Sequence, residues 1–216
     1  MRKLAILIFI TMIYCSCKSV PAPVFDLSAI QFKETIRQAL KGSGFNPQDG
    51  KSKAFTVTKY RVFESTDPRI LTFNGVSLAG KNKDSVNKVI IHYSIKDSIV
   101  SMIELRVFSV PQIKALEDAL DKKLGKASYP SDAYTTVFSD NVRFYNRIWA
   151  DPKNTVGHFY TNALNEQKEQ EARLAILNYS DSMISEVAYL KGYSSSTIES
   201  DVKNALSSST ETSKNK

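Results

Sequence analysis

Cysteine is almost absent from this chain of 216 residues. The two cysteines, Cys15 and Cys17, both lie within the first 17 residues. The rest of the chain therefore forms no disulfide and offers no thiol for covalent catalysis or for a cysteine-based metal site. A body of this length must be stabilised by its hydrophobic core alone, which about 200 residues can supply.

Histidine and glycine are also scarce. The eight glycines do not cluster into a phosphate-binding loop, and the sequence has neither a Gly-x-Ser-x-Gly elbow nor a His-Glu-x-x-His helix. The two histidines, His92 and His158, each lie in a predicted strand. They could share a metal only if these strands were adjacent, and a histidine on a half-polar strand face is the commoner case. We therefore predict no catalytic residue, no metal and no cofactor, and the pattern does not favour an enzyme.

No apolar run is long enough to span a bilayer, which takes about 20 residues. Residues 4–13 form a short apolar run after the positive residues Arg2 and Lys3. A positive start followed by a short apolar run is typical of a cleaved secretory leader.

The end of this leader decides how it is cleaved. The residues Tyr14-Cys15-Ser16-Cys17 resemble the lipobox of bacterial lipoproteins, in which a small residue precedes the cysteine that becomes lipidated. Ser16 suits the position before Cys17, whereas Tyr14 is too bulky before Cys15. Tyr14 also departs from the Leu-like residue usual three places before the lipidated cysteine.

The resemblance to bacterial lipoproteins implies cleavage after residue 16 and lipidation of Cys17. Because lysine and not aspartate follows the cysteine, it also implies anchoring in the outer membrane, facing the periplasm or the cell surface. The alternative is ordinary cleavage after Ala22, which Pro23 would hinder. We predict a leader at 1–16, the lipidated cysteine and an extended tether at 17–27, a body at 28–190, and a polar, largely disordered tail at 191–216. The body itself resembles no named family.

Two helices are predicted, each introduced by the Ser-x-x-Gln pattern of a capping box. The first begins at Ser28 and ends before Gly42. The second begins at Ser109, with Pro111 in its first turn, and ends at Gly125.

Four strand-like runs follow each helix: 55–64, 70–78, 88–96 and 99–107, then 134–138, 142–150, 156–161 and 173–178. The runs 88–96 and 99–107 alternate cleanly and predict a hairpin. Residues 183–190 fit either an edge strand or a short helix. This order predicts an α+β fold, with one antiparallel sheet and two helices on one of its faces. The alternative is two α-β-β-β-β pseudo-repeats as separate halves, 28–108 and 109–190.

One strand carries the best candidate for a binding surface. In 142–150, alternation places Arg143, Tyr145, Arg147 and Trp149 on the same face. Arginine and aromatic side chains stack on each other and are enriched in binding hot spots. The structural alternative is that the single tryptophan belongs to the core and the arginine stems cover apolar neighbours.

Three serines match a short motif. Ser85, Ser98 and Ser182 each follow an aspartate and precede an apolar residue. This pattern resembles the acceptor motif for protein O-glycosylation in some Gram-negative bacteria, and we predict these serines as weakly specified glycosylation sites.

The net charge of +7 favours anionic surfaces or acidic partners. Nucleic acid is not expected as a partner of an exported protein. Our first hypothesis is a lipid-anchored envelope protein that acts as a non-catalytic binding or assembly-accessory module, with an envelope protein or glycan as its partner. The alternatives are a carrier of an apolar ligand or lipid, and, third, a hydrolase that acts on envelope material.

Overall fold

The computed structural model describes residues 25–48, 51–54, 59–127, 129–137, 140–165 and 167–193, together with Ser200, Val202, Lys203 and Ser207. For 51–54, 129–137 and 140–145 only the backbone is described. Cys17 and most of the predicted tether lie outside the described residues. Within the described part of the chain, no helix is both long and apolar enough to cross a bilayer.

Twelve strands are found in the described residues, and eight of them form one antiparallel sheet. In chain order the strands are β1 (Lys51–Ala54), β2 (Tyr60–Ser65), β3 (Thr72–Phe73), β4 (Val76–Ser77), β5 (Lys81–Asn82), β6 (Ser85–Val86), β7 (Lys88–Ser94), β8 (Val100–Val107), β9 (Tyr129–Val137), β10 (Asp140–Asp151), β11 (Val156–Leu164) and β12 (Gln170–Asn178). The order across the large sheet is β1-β2-β7-β8-β12-β11-β10-β9. The short strands pair separately, β3 with β4 and β5 with β6.

The large sheet consists of two meanders joined at their last strands. β1, β2, β7 and β8 follow one another in the first half, and β9 to β12 do so in the second. β8 pairs with β12 in the middle, from Ala172 opposite Val107 to Leu177 opposite Met102. The strands therefore follow the predicted α-β-β-β-β order twice, within one continuous sheet.

Three α-helices have both ends in the described residues and pack on the two faces of this sheet: α1 (Ile36–Ala39), α2 (Val110–Leu124) and α3 (Ser182–Leu190). α1 and α2 pack on one face, the α2 face, in a core that includes Ile36, Leu116, Leu120, Ile103 and Leu174. The α+β prediction with two helices on one face is confirmed.

α3 covers the opposite face, the α3 face. Ile184 and Val187 of this helix pack there against Met102, Phe159 and Leu177. Residues 183–190 are thus part of a helix and not of an edge strand.

The predicted start of the first helix is wrong. Leu27–Ala29 form a single 3-10 turn, and the α-helix begins only at Ile36. Thr35 and Gln38 form its capping box, instead of the predicted pair that begins with Ser28.

Contacts with a distant turn explain why no helix begins at Ser28. The Asp26 carboxylate accepts hydrogen bonds from the backbone N–H groups of Ser28, Asn74 and Gly75, at 2.8, 2.9 and 2.6 Å. These bonds fasten the segment to the β3–β4 turn. Asn74 and Gly75, which form this turn, have φ values of 50° and 75°. The predicted strand 70–78 is wrong, because it contains the end of a 3-10 turn, Pro68–Ile70, and this small hairpin.

The hairpin of β7 and β8 is confirmed, with one irregularity. Tyr93 pairs with Val100 while His92 pairs with Met102, so Ser101 is an extra residue on β8. Such a bulge shifts the alternation of side chains at one end of a strand. β1 was not predicted, and residues 55–58 of the first predicted strand lie outside the described residues.

The packed body continues beyond residue 190, where the sequence predicts that the polar tail begins. Tyr193 is 3% exposed and Val202 is 5% exposed, and both pack in the core under α3. The boundary predicted at 190/191 therefore cuts through the packed body.

The start of α2 is held by a buried asparagine. Ser109 donates to the Gln112 side chain and does not cap the backbone. Instead the Asn87 Oδ1 atom accepts from the N–H groups of Phe108 and Ser109, at 2.8 and 3.2 Å, and its Nδ2 donates to the Leu78 carbonyl at 2.8 Å. Asn87 is fully buried and therefore sets where α2 leaves the sheet.

We expect Asn87→Ala to lower the free energy of unfolding by about 3 kcal/mol, because it leaves buried backbone groups without partners. Chemical denaturation followed by circular dichroism measures this change. Asn82→Ala, in the neighbouring small hairpin, serves as the control and should change stability by less than about 0.5 kcal/mol. Equal effects of the two substitutions would contradict the anchoring role of Asn87.

Candidate functional site

A cleft opens on the α2 face where three strands of the second half end. The floor of this cleft contains a row of directly paired residues across β10, β11 and β12: Trp149 opposite His158, and His158 opposite Ile176. Strand register places their side chains on one face of the sheet. The next row toward the strand ends contributes Asp151, Val156 and Asn178.

Two segments from outside the strands form the walls. The end of α2 and the residues after it supply Lys123, Leu124 and Lys126, and the irregular segment 27–33 supplies the opposite wall. The volume of the cleft is about 660 Å³. This lies within the range of about 300–1,000 Å³ that is usual for small-molecule sites.

Trp149 joins the floor of the cleft to the end of α2. It is 4% exposed, and its indole Nε1 donates to the Gly125 carbonyl at 2.9 Å. Gly125 follows the last residue of α2 and has a φ of 70°. The indole therefore supplies a hydrogen-bond donor to a carbonyl at the end of the helix that would otherwise have no partner.

The predicted arginine–aromatic surface is only partly described. Arg147 lies on the same face as Trp149, and its guanidinium donates to the Asp121 carboxylate of α2 at 3.1 Å. Trp149 belongs to the core, as the structural alternative requires. The side chains of Arg143 and Tyr145 lie outside the described part of the structure, so their binding role stays a prediction.

His158 is the polar residue at the centre of the floor. Its side chain is half-buried, and no hydrogen bond joins its ring to another described residue. Burial lowers the pKa of His158 to about 4, and the positive charge of Lys123 acts in the same direction. The imidazole is therefore neutral at pH 7 and can donate or accept a hydrogen bond in the cleft.

One carboxylate lines the cleft among the described residues, and the β10–β11 turn holds it. The pKa of Asp151 is lowered by the hydrogen bond from the Asn154 side chain and by the backbone N–H groups of Lys153 and Asn154. These three bonds are 2.7, 2.9 and 3.3 Å long. Asp151 thus stays ionised and orders the turn.

A second group of polar side chains is buried on the α3 face. This Glu104 cluster consists of Glu104, His92, Lys191 and Tyr193. The Glu104 carboxylate contacts the His92 Nε2 atom and accepts from the Lys191 Nζ at 2.7 Å and from the Tyr193 hydroxyl at 2.8 Å. Burial raises the pKa of Glu104, but the hydrogen bond and charge of His92, together with Lys191, outweigh burial and lower it to about 2. Glu104 and His92 are 1% and 0% exposed, which is typical of a structural network and not of a site open to ligand.

The two histidines lie on opposite faces of the sheet, because β7 directs His92 to the α3 face and β11 directs His158 to the α2 face. They cannot share a metal ion. Within the described residues, no group of three or more histidine, cysteine, aspartate or glutamate residues is arranged to hold one.

A second cavity of about 600 Å³ lies between the β7–β8 turn, Tyr60 and the start of α3. The Tyr60 hydroxyl donates to Asp181, the N-cap of α3, at 2.6 Å. Burial and the Asp181 carboxylate raise the pKa of Tyr60, so this hydroxyl stays protonated. The contact ties β2 to α3.

The three predicted glycosylation serines differ in accessibility. Ser182 is exposed at the start of α3, whereas Ser85 and Ser98 are half-buried. The Ser85 hydroxyl donates to Glu169 at 3.2 Å, and Ser98 lies in the β7–β8 turn with a φ of 62°. Their modification stays a prediction.

The chain matches no protein-family model, no curated protein and no solved structure. What the cleft can bind is therefore argued from the residues that line it.

Among the residues of this cleft, the sequence patterns singled out only Trp149, as part of the predicted arginine–aromatic surface. His158 looks like an ordinary strand histidine, and lysines beside a helix C-terminus usually complement the helix dipole. One sequence signal could have indicated a positively charged site: Lys122, Lys123 and Lys126 flank the C-cap Gly125. Lys33 lies in the segment that forms the opposite wall of the cleft.

We expect Glu104→Gln to remove a pH-dependent part of the stability. The pKa of Glu104 falls from the ordinary 4.5 to about 2 on folding, so its charge stabilises the fold above pH 4.5 and this contribution is lost as the pH falls toward 2. Between about pH 6 and pH 2, the free energy of unfolding should fall by about 3 kcal/mol more in the native chain than in the variant. Chemical denaturation at several pH values measures this difference. Glu186→Gln, at an exposed position, should follow the native curve, and parallel curves for all three proteins would contradict this role.

We expect the His158 imidazole to titrate at about pH 4 in an NMR titration, because burial disfavours its charged form. His158→Asn identifies its signal. Lys123→Gln should raise the pKa of His158, whereas Lys122→Gln, one position away and outside the lining of the cleft, should change it less. Titration near the ordinary value of 6.5 would show that the ring is not held in the floor as described.

Proposed function

We propose that this chain is a lipid-anchored protein of the bacterial cell envelope, and that it acts as a non-catalytic binding module whose cleft takes a small ligand. The observation that carries the proposal is the floor of the cleft, where a neutral histidine without a hydrogen-bond partner among the described residues lies between a tryptophan and an isoleucine. Binding sites for small molecules typically combine apolar walls with a few convergent polar groups.

The leader supports the location. Arg2, Lys3, the apolar run 4–13 and the pair Ser16-Cys17 form the pattern from which lipidation of Cys17 is inferred. Cys17 precedes Leu27, a residue of the cleft wall, by ten positions. A fully extended chain of ten residues spans about 35 Å at most, so an anchor on Cys17 would hold the cleft close to a membrane surface.

The lining of the cleft supports binding more than hydrolysis. Asp151 is the single carboxylate among the described lining residues, and its oxygens are engaged within the turn. Chemistry with paired carboxylates needs two such groups facing each other across a cleft. A carrier of a partly apolar small molecule is the form of binding module that this lining favours.

Native mass spectrometry of the full chain, extracted from its own membrane, tests the proposal. We expect a bound small molecule of defined mass on the native protein. Val156→Phe should lose this mass, because the larger side chain fills the floor of the cleft. Val110→Phe makes the same change at a position that is 56% exposed and outside the cleft, and it should retain the mass.

The same spectra report on the anchor separately, since acyl groups on Cys17 add to the protein mass and Cys17→Ser removes them. A protein that carries its acyl groups but never a bound small molecule would overturn the carrier and leave the anchor standing. Equal retention by Val156→Phe and Val110→Phe, with unchanged melting temperatures, would place the ligand outside the cleft.

A further inference from the structure

We propose that the ligand of this cleft is a singly charged anionic amphiphile, with an apolar body on the floor and an acidic head among the lysines of the rim. This inference rests on the proposed function and adds the chemical class of the ligand. A carboxylate, a sulfonate or a phosphate diester would each supply such a head.

The charge of the rim is the first argument. Lys33, Lys123 and Lys126 line the cleft, and all three side chains are exposed. Within the described residues none of them forms an ion pair. Among the described lining residues Asp151 is the one negative side chain, and its oxygens are already engaged in its own turn. The balance of charge at the rim is therefore positive.

The end of α2 opposes this balance only in part. The last carbonyls of a helix carry about half a negative charge. Trp149 takes the Gly125 carbonyl as a hydrogen-bond acceptor, which leaves less of this negative end directed into the cleft. Lys123 and Lys126 together carry more positive charge than the helix end carries negative charge, and Lys33 adds to it from the opposite wall.

The floor is the second argument. Val156 and Leu124 are half-buried and present apolar surface in the cleft, and the buried side chains of Trp149 and Ile176, each 4% exposed, belong to the same lining. A wholly polar anion would leave this surface in water, and a wholly apolar ligand would leave the lysines and the His158 ring without a partner. A molecule with an acidic head and an apolar body satisfies both parts.

The number of lysines is the third argument. Three lysines and one carboxylate line the cleft among the described residues, so its net charge suits a single acidic head group better than a polyanion. The neutral His158 ring adds a hydrogen-bond donor at the base of the cleft. Because its charged form is disfavoured, it orients the ligand without adding charge.

Trp149 makes the inference directly testable, because it is the only tryptophan of the chain and contributes to the floor. Bromine quenches indole fluorescence on close contact. The full chain in phosphatidylcholine vesicles is titrated with ω-bromooctanoate and, separately, with ω-bromooctanol, which has the same body without the charge. Quenching by each probe is plotted against the concentration of that probe free in solution. We expect half-maximal quenching of Trp149 by the carboxylate at a concentration at least about tenfold lower than by the alcohol.

Substitutions at the rim locate the charge selectivity. The double variant Lys123→Gln/Lys126→Gln should lose the tenfold preference and still bind the alcohol as the native chain does. Lys122→Gln removes one positive charge from the same helix end, outside the cleft lining, and should keep the preference. Should the double variant melt at a lower temperature, Lys33→Gln on the opposite wall gives the same comparison without touching α2.

The outcomes separate the two proposals. Equal quenching by the carboxylate and the alcohol would overturn the anionic head and leave a binding cleft. Quenching by neither probe would overturn both. Loss of the preference in Lys122→Gln to the same extent as in the double variant would assign it to the general charge of the helix end and overturn the site.

Discussion

The molecule depends on the compensation of one buried negative charge. Glu104 lies on β8, a central strand, and a carboxylate removed from water costs several kcal/mol unless charged or hydrogen-bonded partners surround it. Its partners come from two places in the chain: His92 from the neighbouring strand β7, and Lys191 and Tyr193 from the residues after α3. Lys191 and Tyr193 reach Glu104 only because the chain after β12 returns across the sheet. The helix α3 forms this return and covers a face of the sheet that would otherwise be exposed.

This arrangement gives the two faces of the sheet different roles. On the α3 face, the polar groups of the buried Glu104 cluster are paired with one another. The α2 face remains open at one end, because α2 ends at Gly125 while β10, β11 and β12 continue beneath it. Trp149 ties the helix end to the sheet, and the row of His158 and Ile176 beside it forms the floor of the opening. The cleft thus follows from a helix that is shorter than the strands it covers.

The local sequence patterns predicted the helices and strands that bury a periodic apolar stripe. They missed the features that depend on contacts between residues far apart in the chain. The stripe from Ile113 to Leu120 and the alternation in β7 and β8 are strong enough to specify a helix and a hairpin. Ser28 fits a capping box equally well on local grounds, yet Asp26 binds the turn at Asn74 and Gly75 and prevents a helix there. Nothing near Asn87 in the sequence indicates that it holds the start of α2.

The candidate site shows the same limit. Alternation correctly placed Arg147 and Trp149 on one face of a strand, but the pattern does not tell which element covers that face. The partners are Asp121 on α2 and Gly125 directly after it, both more than twenty residues away. The cleft combines residues from three separate parts of the chain, each of which looks ordinary alone: a strand histidine, lysines after a helix and an irregular segment before α1.

The seam between β8 and β12 bears on how the chain reaches its native state. Within each meander most strands pair with a neighbour in sequence, whereas the residues paired across the seam lie 65 to 75 positions apart. Closing so long a loop is slow compared with forming a hairpin. We therefore expect each half to assemble first, which leaves β8 and β12 as unprotected edge strands of the kind that pair with other chains. Until β8 and β12 pair, neighbouring copies of the chain would compete for these edges, so the yield of folded protein should fall as the concentration during folding rises.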